Sequence, residues 1–197
     1  MLRPIQEIQG LCLFEAKQFP DERGYLLQSY VRSDLAARGV EAEFRQALQS
    51  RSRRGVVRGM HFQWDPPMGK LIRCVAGRIF DVAIDLRRDS PTLGDHSFAE
   101  MSEENRYVFW LPAGFAHGFM ALEENTVVLY ECTVEWSSQG EGGILWDDPR
   151  IGVKWPALEP LLSAKDRVAM TFEQWLAHPA SRSFAMPRAE TPQPHFP

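Results

Sequence analysis

Cysteine is scarce in this chain: only Cys12, Cys74 and Cys132, odd in number and widely spaced. No disulfide framework or zinc pattern follows from that spacing, so a reducing cytoplasm is the expected home. Long apolar runs are missing too; none approaches the ~18 residues of a membrane span. The first ten residues, "MLRPIQEIQG", lack a basic start followed by an apolar stretch, so no signal peptide is expected. Positive charge is not in excess. Lys and Arg number 22 against 26 Asp and Glu, a formal net charge of -4. That balance argues against general nucleic-acid binding while leaving room for a local basic pocket. Repeats, low-complexity segments and breaks in composition are absent as well. The 197 residues therefore read as one domain, 1–197, with an irregular proline-rich tail over 179–197.

What is present is strand-forming sequence. "GVVRGMHFQ", "KLIRCVAGRIFDVAIDLR", "HSFAEM", "YVFWLP", "HGFMALEENTVVLYECTVEW" and "GGILWDD" are rich in Val, Ile, Phe, Tyr and Trp. Turn signals such as "DPPMG", "RDSPTLGD", "SEENR" and "SSQGEGG" separate them. Short, closely spaced strands predict an antiparallel barrel or sandwich. Gly77-Arg78 and Glu124-Asn125 read as hairpin tips, and "RSRRGVVR" as a solvated hairpin arm. Two helices are expected: residues 33–39, capped by Ser33 and stopped by Gly39, and residues 163–178, capped by Ser163 and followed by Pro179.

One stretch, "GVVRGMHFQWDPPMGK" at residues 55–70, looks like a metal site with most of its ligands missing. Metal-binding barrels of the cupin type carry a glycine, then H-x-H, then a glutamate; a second motif is P-x-G-x-x-H with an asparagine four residues on. Gly55, His61 and Gly77 fit the first frame, and Pro112, Gly114 and His117 fit the second. Gln63 stands where the second histidine belongs, Pro67 or Met68 where the glutamate belongs, and Ala121 where the asparagine belongs. Two histidines are a poor shell for a transition metal. The expectation is a cupin-like barrel with no metal and no cofactor, in which His61 is free to act as an acid or base.

"VVRGMHFQ", "GKLIRCVAGRIFDVAIDLRRDSPTLG", "ENRYVFWLPAGFAHGF", "VLYECT", "ILWDDPRIGVKWP" and "LSAKD" resemble the dTDP-4-dehydrorhamnose 3,5-epimerase family, over roughly residues 5–170. The resemblance implies an all-β jelly-roll barrel with a short helix near the N-terminus and a C-terminal helix. It also implies a homodimer, no cofactor, and a 4-keto nucleotide-sugar substrate. A C4 ketone acidifies the hydrogens on C3 and C5. Inverting either carbon needs a base on one face, a group to hold the enolate oxygen, and an acid on the other face. His61 suits the base, since its ordinary pKa of about 6.5 lies near working pH. By resemblance, Asp166 orients the imidazole, Lys70 faces the enolate, and Tyr130 returns the proton. His117 is placed close to the sugar.

Each residue also has a plainer reading. A lone strand histidine is more often a hydrogen-bonded core residue. Asp166 lies three residues after Ser163, where it would complete a capping box. Tyr130 could be a strand aromatic, Lys70 a surface lysine, and His117 a histidine next to a turn. Arg58 lies three residues from His61, so simple alternation puts it on the opposite face, unless a bulge at Gly59 re-aims it. Only the resemblance makes Arg58 a diphosphate contact. Arg23 of "DERG" is the other cation; in the resembled family it reaches the partner subunit's nucleotide. Gln46, Glu141 and Lys165 also match pocket positions.

The departures bear on substrate. Leu48 replaces an amide of the usual Q-x-N. Leu26 and Gln28 stand where an aromatic and a glutamate are usual, Gln28 retaining a substrate-binding position. Trp136 stands where a tyrosine flanks the sugar. Two other readings remain at this point: a nucleotide-sugar 3,4-ketoisomerase, and a non-enzymatic cupin module that binds sugars.

Overall fold

In the computed structural model, which describes residues 1–184, twelve strands account for most of the regular structure. They are β1 (Cys12–Glu15), β2 (Lys17–Asp21), β3 (Gly24–Gln28), β4 (Gln46–Ser52), β5 (Val57–Gln63), β6 (Lys70–Ala76), β7 (Arg78–Asp85), β8 (His96–Ser102), β9 (Tyr107–Leu111), β10 (Phe115–Ala121), β11 (Thr126–Cys132) and β12 (Glu141–Gly143). Two five-stranded sheets form, in the orders β1-β9-β6-β11-β4 and β12-β5-β10-β7-β8. All their strand pairings are antiparallel. From β4 to β12 the chain alternates between the sheets, and only β7 and β8 are consecutive partners. That is the winding of a jelly roll, as expected.

The winding corrects two readings. Gly77-Arg78 and Glu124-Asn125 are not hairpin tips, because β6 and β7 lie in different sheets, as do β10 and β11. They are corners where the chain changes sheet. Gly77 and Asn125 both take positive φ there, and a Cβ on Gly77 would sit 2.6 Å from Thr126 Oγ1. "RSRRGVVR" is a corner of the same kind between β4 and β5, not a hairpin arm. The N-terminal strands β1 to β4 carry less apolar sequence and were not signalled.

Period-2 alternation explains the interior. Ile72 and Cys74 of β6, Phe109 of β9, and Val128 of β11 meet Ile79 and Ala83 of β7, Met101 of β8, and Phe119 of β10 in one buried cluster. Burying each large apolar side chain contributes roughly 1.5–3 kcal/mol. The same inward register continues to Lys70, Asp81, His117, Tyr130 and Cys132. One end of the sandwich interior is thus apolar and the other polar.

The helices differ in part from expectation. α1 is Arg32–Ala36, with Val31 at the N-cap position and no side-chain cap, so Ser33 lies inside the helix. The single helix expected over 163–178 is two: α2 (Ala164–Arg167) and α3 (Phe172–Ala177). Ser163 does cap α2, its hydroxyl accepting from Asp166 N. The break arises because Met170 bonds to the chain after β12, through Leu145 N to Met170 O at 2.8 Å. Thr171 then opens α3 with a reciprocal capping box to Gln174. Residues Pro179–Ser183 form a 3-10 helix and Phe184 is buried, so the irregular tail does not begin at 179. The rest of it, 185–197, lies outside the described residues.

Candidate active site

The polar end of the sandwich opens as a cavity of about 400 Å³. That size suits a small-molecule site. His61, Lys70, His117, Tyr130 and Asp166 line it, with Arg58, Trp136, Glu141 and Lys165. Four elements supply the central groups. β5 carries His61, β6 carries Lys70, β10 carries His117 and β11 carries Tyr130. Asp166 arrives from outside, on α2, packed over β5.

His61 Nε2 lies 2.6 Å from Asp166 Oδ1. If Nε2 donates there, Nδ1 is left with the lone pair that can take a proton. Asp166 is therefore both a capping-turn residue, by its backbone, and the histidine's partner, by its carboxylate. Burial works to raise the Asp166 pKa, but the hydrogen bond and charge of His61 hold it below the ordinary carboxylate range.

Lys70 is neither on the surface nor ion-paired. Its Nζ donates to His61 O at 3.3 Å, and no carboxylate among the described residues lies within ion-pair distance. Burial lowers its pKa against the opposing pull of Cys132, Glu141 and Asp81. A half-buried ammonium without a salt bridge carries a desolvation cost, and an anion formed beside it offsets that cost.

Tyr130 packs its ring edge against His117, with centroids 6.0 Å apart, and its hydroxyl lies 3.4 Å from Ser50 Oγ. Burial pushes the phenol pKa well above its ordinary value, so it stays protonated at working pH.

His117 is buried and bonds through Nε2 to Asp81 Oδ2 at 2.9 Å. Burial drives both partners toward their neutral forms, lowering the histidine and raising the aspartate. Asp81 Oδ1 is buried with no hydrogen-bond partner among the described residues. Asp81 was not among the residues expected from sequence. In "RIFDVAID" it shares a face with Ile79 and Ala83, but that this is the inner face is known only from the structure.

Arg58 reaches the cavity because β5 is bulged. Against β10, His61 pairs with His117 but Arg58 pairs with Phe119, so three steps on one strand match two on the other. Gly59 makes this possible, with φ at +135° and an added Cβ only 2.5 Å from Gly118 Cα. Lys165 pairs with Glu141 at the rim. Burial tends to raise Glu141, but Lys165 and the Trp136 indole hold its carboxyl low.

Three expected site residues lie elsewhere in the protomer. Arg23 and Gln28 belong to the β2–β3 ribbon, which forms a two-stranded sheet paired with no other strand among the described residues. Arg23 is bound to Asp21 in solvent, and Gln28 lines a separate cleft with Asp34 and Arg38. Gln46 does not line the main cavity. Its Oε1 accepts from Trp136 N at 2.8 Å, so the amide holds backbone instead. Gln63, at the vacant ligand position, is likewise engaged with backbone. Among the described residues no group of three His, Cys, Asp or Glu side chains could hold a metal ion. No described helix is long and apolar enough to cross a membrane.

Residues 6–174 match the family model described as dTDP-4-dehydrorhamnose 3,5-epimerase. The enzyme of that name from Methanothermobacter thermautotrophicus is 43% identical over 163 residues, covering 81% of this chain and 88% of the relative. The one from Pseudomonas aeruginosa is 45% identical over 167 residues, covering 84% and 92%. Among solved structures, the Legionella pneumophila dTDP-6-deoxy-D-glucose-3,5-epimerase in complex with dTDP-4-keto-L-rhamnose superposes with a TM-score of 0.86 at 36% identity, covering 93% of this chain and 96% of that one. ChmJ, a 3'-monoepimerase from Streptomyces bikiniensis in complex with dTDP-quinovose, gives 0.81 at 30% identity, covering 86% and 87%.

Proposed function

The chain belongs to the dTDP-4-dehydrorhamnose 3,5-epimerase family and is a nucleotide-sugar epimerase, and we propose that it works through His61 and Tyr130 on a 4-keto sugar carried by a nucleoside diphosphate. The observation that carries this reading is the presence of the His61–Asp166 pair, Lys70 and Tyr130 on the walls of one cavity. His61 Nδ1 takes the proton from C3 or C5, and the C–H electron pair passes into an enolate whose oxygen lies toward Lys70. Tyr130 gives its proton to the same carbon from the other face, which inverts the centre. Solvent then removes the proton from His61 and restores that of Tyr130. No metal takes part in this scheme. Supporting that, Gln63 is bound to backbone and Ala121 has no donor atom.

Arg58 and Lys165 are the cations suited to the diphosphate. The L. pneumophila and S. bikiniensis relatives hold thymidine diphospho-sugars, which makes dTDP the first nucleotide to test. Trp136 sits where a tyrosine flanks the sugar in the family. It is bulkier, and its indole N–H is a very poor acid. We take this substitution to favour inversion mainly at one centre, C3 or C5. A time course of deuterium uptake at both carbons of dTDP-4-keto-6-deoxyglucose tests the reaction. Equal, rapid inversion at both would remove Trp136 as a determinant.

The β2–β3 ribbon supports a homodimer. It exposes Phe19, Tyr25 and Leu26 and pairs with no other strand among the described residues. A lone two-stranded ribbon is marginal in water, so a second copy is the cover that would order it. That copy would also give Arg23 and Gln28 a site to complete. Light scattering is expected to give about twice the 22.5 kDa chain mass. Arg23→Ala is expected to raise KM with kcat little changed. A fully active monomer would contradict the composite site.

A further inference from the structure

Trp136 lies half in solvent on the rim of the cavity, at 55% exposure, in a segment that belongs to no strand or helix. Nothing in regular secondary structure fixes it there. Its backbone is instead held by two glutamine side chains from opposite sheets. Gln46, on β4, accepts from Trp136 N at 2.8 Å. Gln63, on β5, accepts from Ser137 N at 2.8 Å and donates to Glu135 O at 3.1 Å. Its amide also donates to Pro66 O at 3.0 Å, tying the same clamp to the turn after β5. Two successive peptide groups, 135–136 and 136–137, are therefore gripped by side-chain amides. Gln63 is buried, at 3% exposure, so all three of its bonds form where water competes least.

We propose that Gln63 and Gln46 are positioning residues that clamp residues 135–137 across the mouth of the sandwich and so hold Trp136 as the wall against which the sugar packs. Neither amide needs to touch the reacting carbons. A glutamine is suited to this task because one group offers both an acceptor and two donors. A histidine at 63 could not accept from Ser137 while donating to both carbonyls. The position that would carry a metal ligand in a related frame here builds the pocket wall. The functional half of the inference rests on the epimerase reading; the structural half does not.

The test uses Gln63→Met and Gln46→Met, which keep length and lose every clamp bond. Protein labelled with 5-fluorotryptophan shows its six indoles by fluorine NMR, and Trp136→Phe assigns the rim resonance. In the free protein, either variant is expected to shift or broaden the Trp136 signal while leaving that of buried Trp175 in place. With dTDP-4-keto-6-deoxyglucose, KM is expected to rise about tenfold and kcat to change less than about threefold, the signature of lost binding rather than lost chemistry. Gln46 is the less buried of the two, so its variant decides the matter if Gln63→Met does not fold. An unmoved Trp136 signal in a folded variant would overturn the clamp. So would a collapse in kcat at constant KM, which would make Gln63 part of the chemistry. A wild-type protein that fails to turn over this sugar would defeat the proposed substrate, while the fluorine spectra would still decide the clamp.

Discussion

His61→Asn is expected to slow epimerisation by a factor on the order of 10²–10⁴, the usual loss when a positioned acid–base group is removed. The asparagine amide can still hydrogen-bond to Asp166, so the fold around α2 should hold, and circular dichroism checks that it does. What disappears is the ring nitrogen that takes the proton in this scheme. Asp166→Asn should cost less. It removes the charge that steadies the imidazolium, yet leaves a group 2.6 Å from Nε2 to orient the ring. The Asp166 carboxyl is held low in the folded protein, so its share of stability is present above the ordinary carboxylate pKa and is lost as pH falls through the lowered value. Near-normal exchange of the C3 and C5 hydrogens in folded His61→Asn would rule out His61 as the base.

Tyr130→Phe should separate the two halves of the reaction. Product formation is expected to fall by on the order of 10²–10⁴, because the phenol is the donor on the far face. His61 remains, so deuterium exchange with retention of configuration should persist and outpace inversion. Burial keeps the phenol protonated, which fits it to donate rather than to abstract. Inversion at the wild-type rate would mean that another group, or water, supplies the second proton. Ser50→Ala is a milder control, since its hydroxyl lies 3.4 Å from the phenol and would only loosen it.

Much of this site was legible in the chain. Strand content, the histidine frame and the Ser163 cap are local signals, carried by residue type and period. His61 stood out because a metal frame around it lacked its other ligands. The pairing of strands was less legible. Gly77 and Asn125 announce a turn, but whether the turn stays in one sheet depends on which strands lie alongside, and that is set by contacts far along the chain. Asp81 was hidden for a related reason. Both faces of β7 are buried, so its alternation shows no polar side, and one inward aspartate reads as an interruption. Arg58 shows the converse. Alternation alone placed it wrongly, and the bulge at Gly59 corrects it. Gln46 was named for the ligand, and its Oε1 accepts from Trp136 N in the free protomer, a partner that cannot be read from the glutamine's own position.

The central claim is proton abstraction next to a C4 ketone by His61, with return on the opposite face. The direct measurement is proton NMR of dTDP-4-keto-6-deoxyglucose in heavy water with the wild-type protein, following hydrogen loss at C3 and C5 and the coupling constants of the product. The account predicts deuterium at an inverted carbon, faster at one centre than the other, with the carbonyl still at C4. A carbonyl moved to C3, or inversion without deuterium uptake, would contradict it.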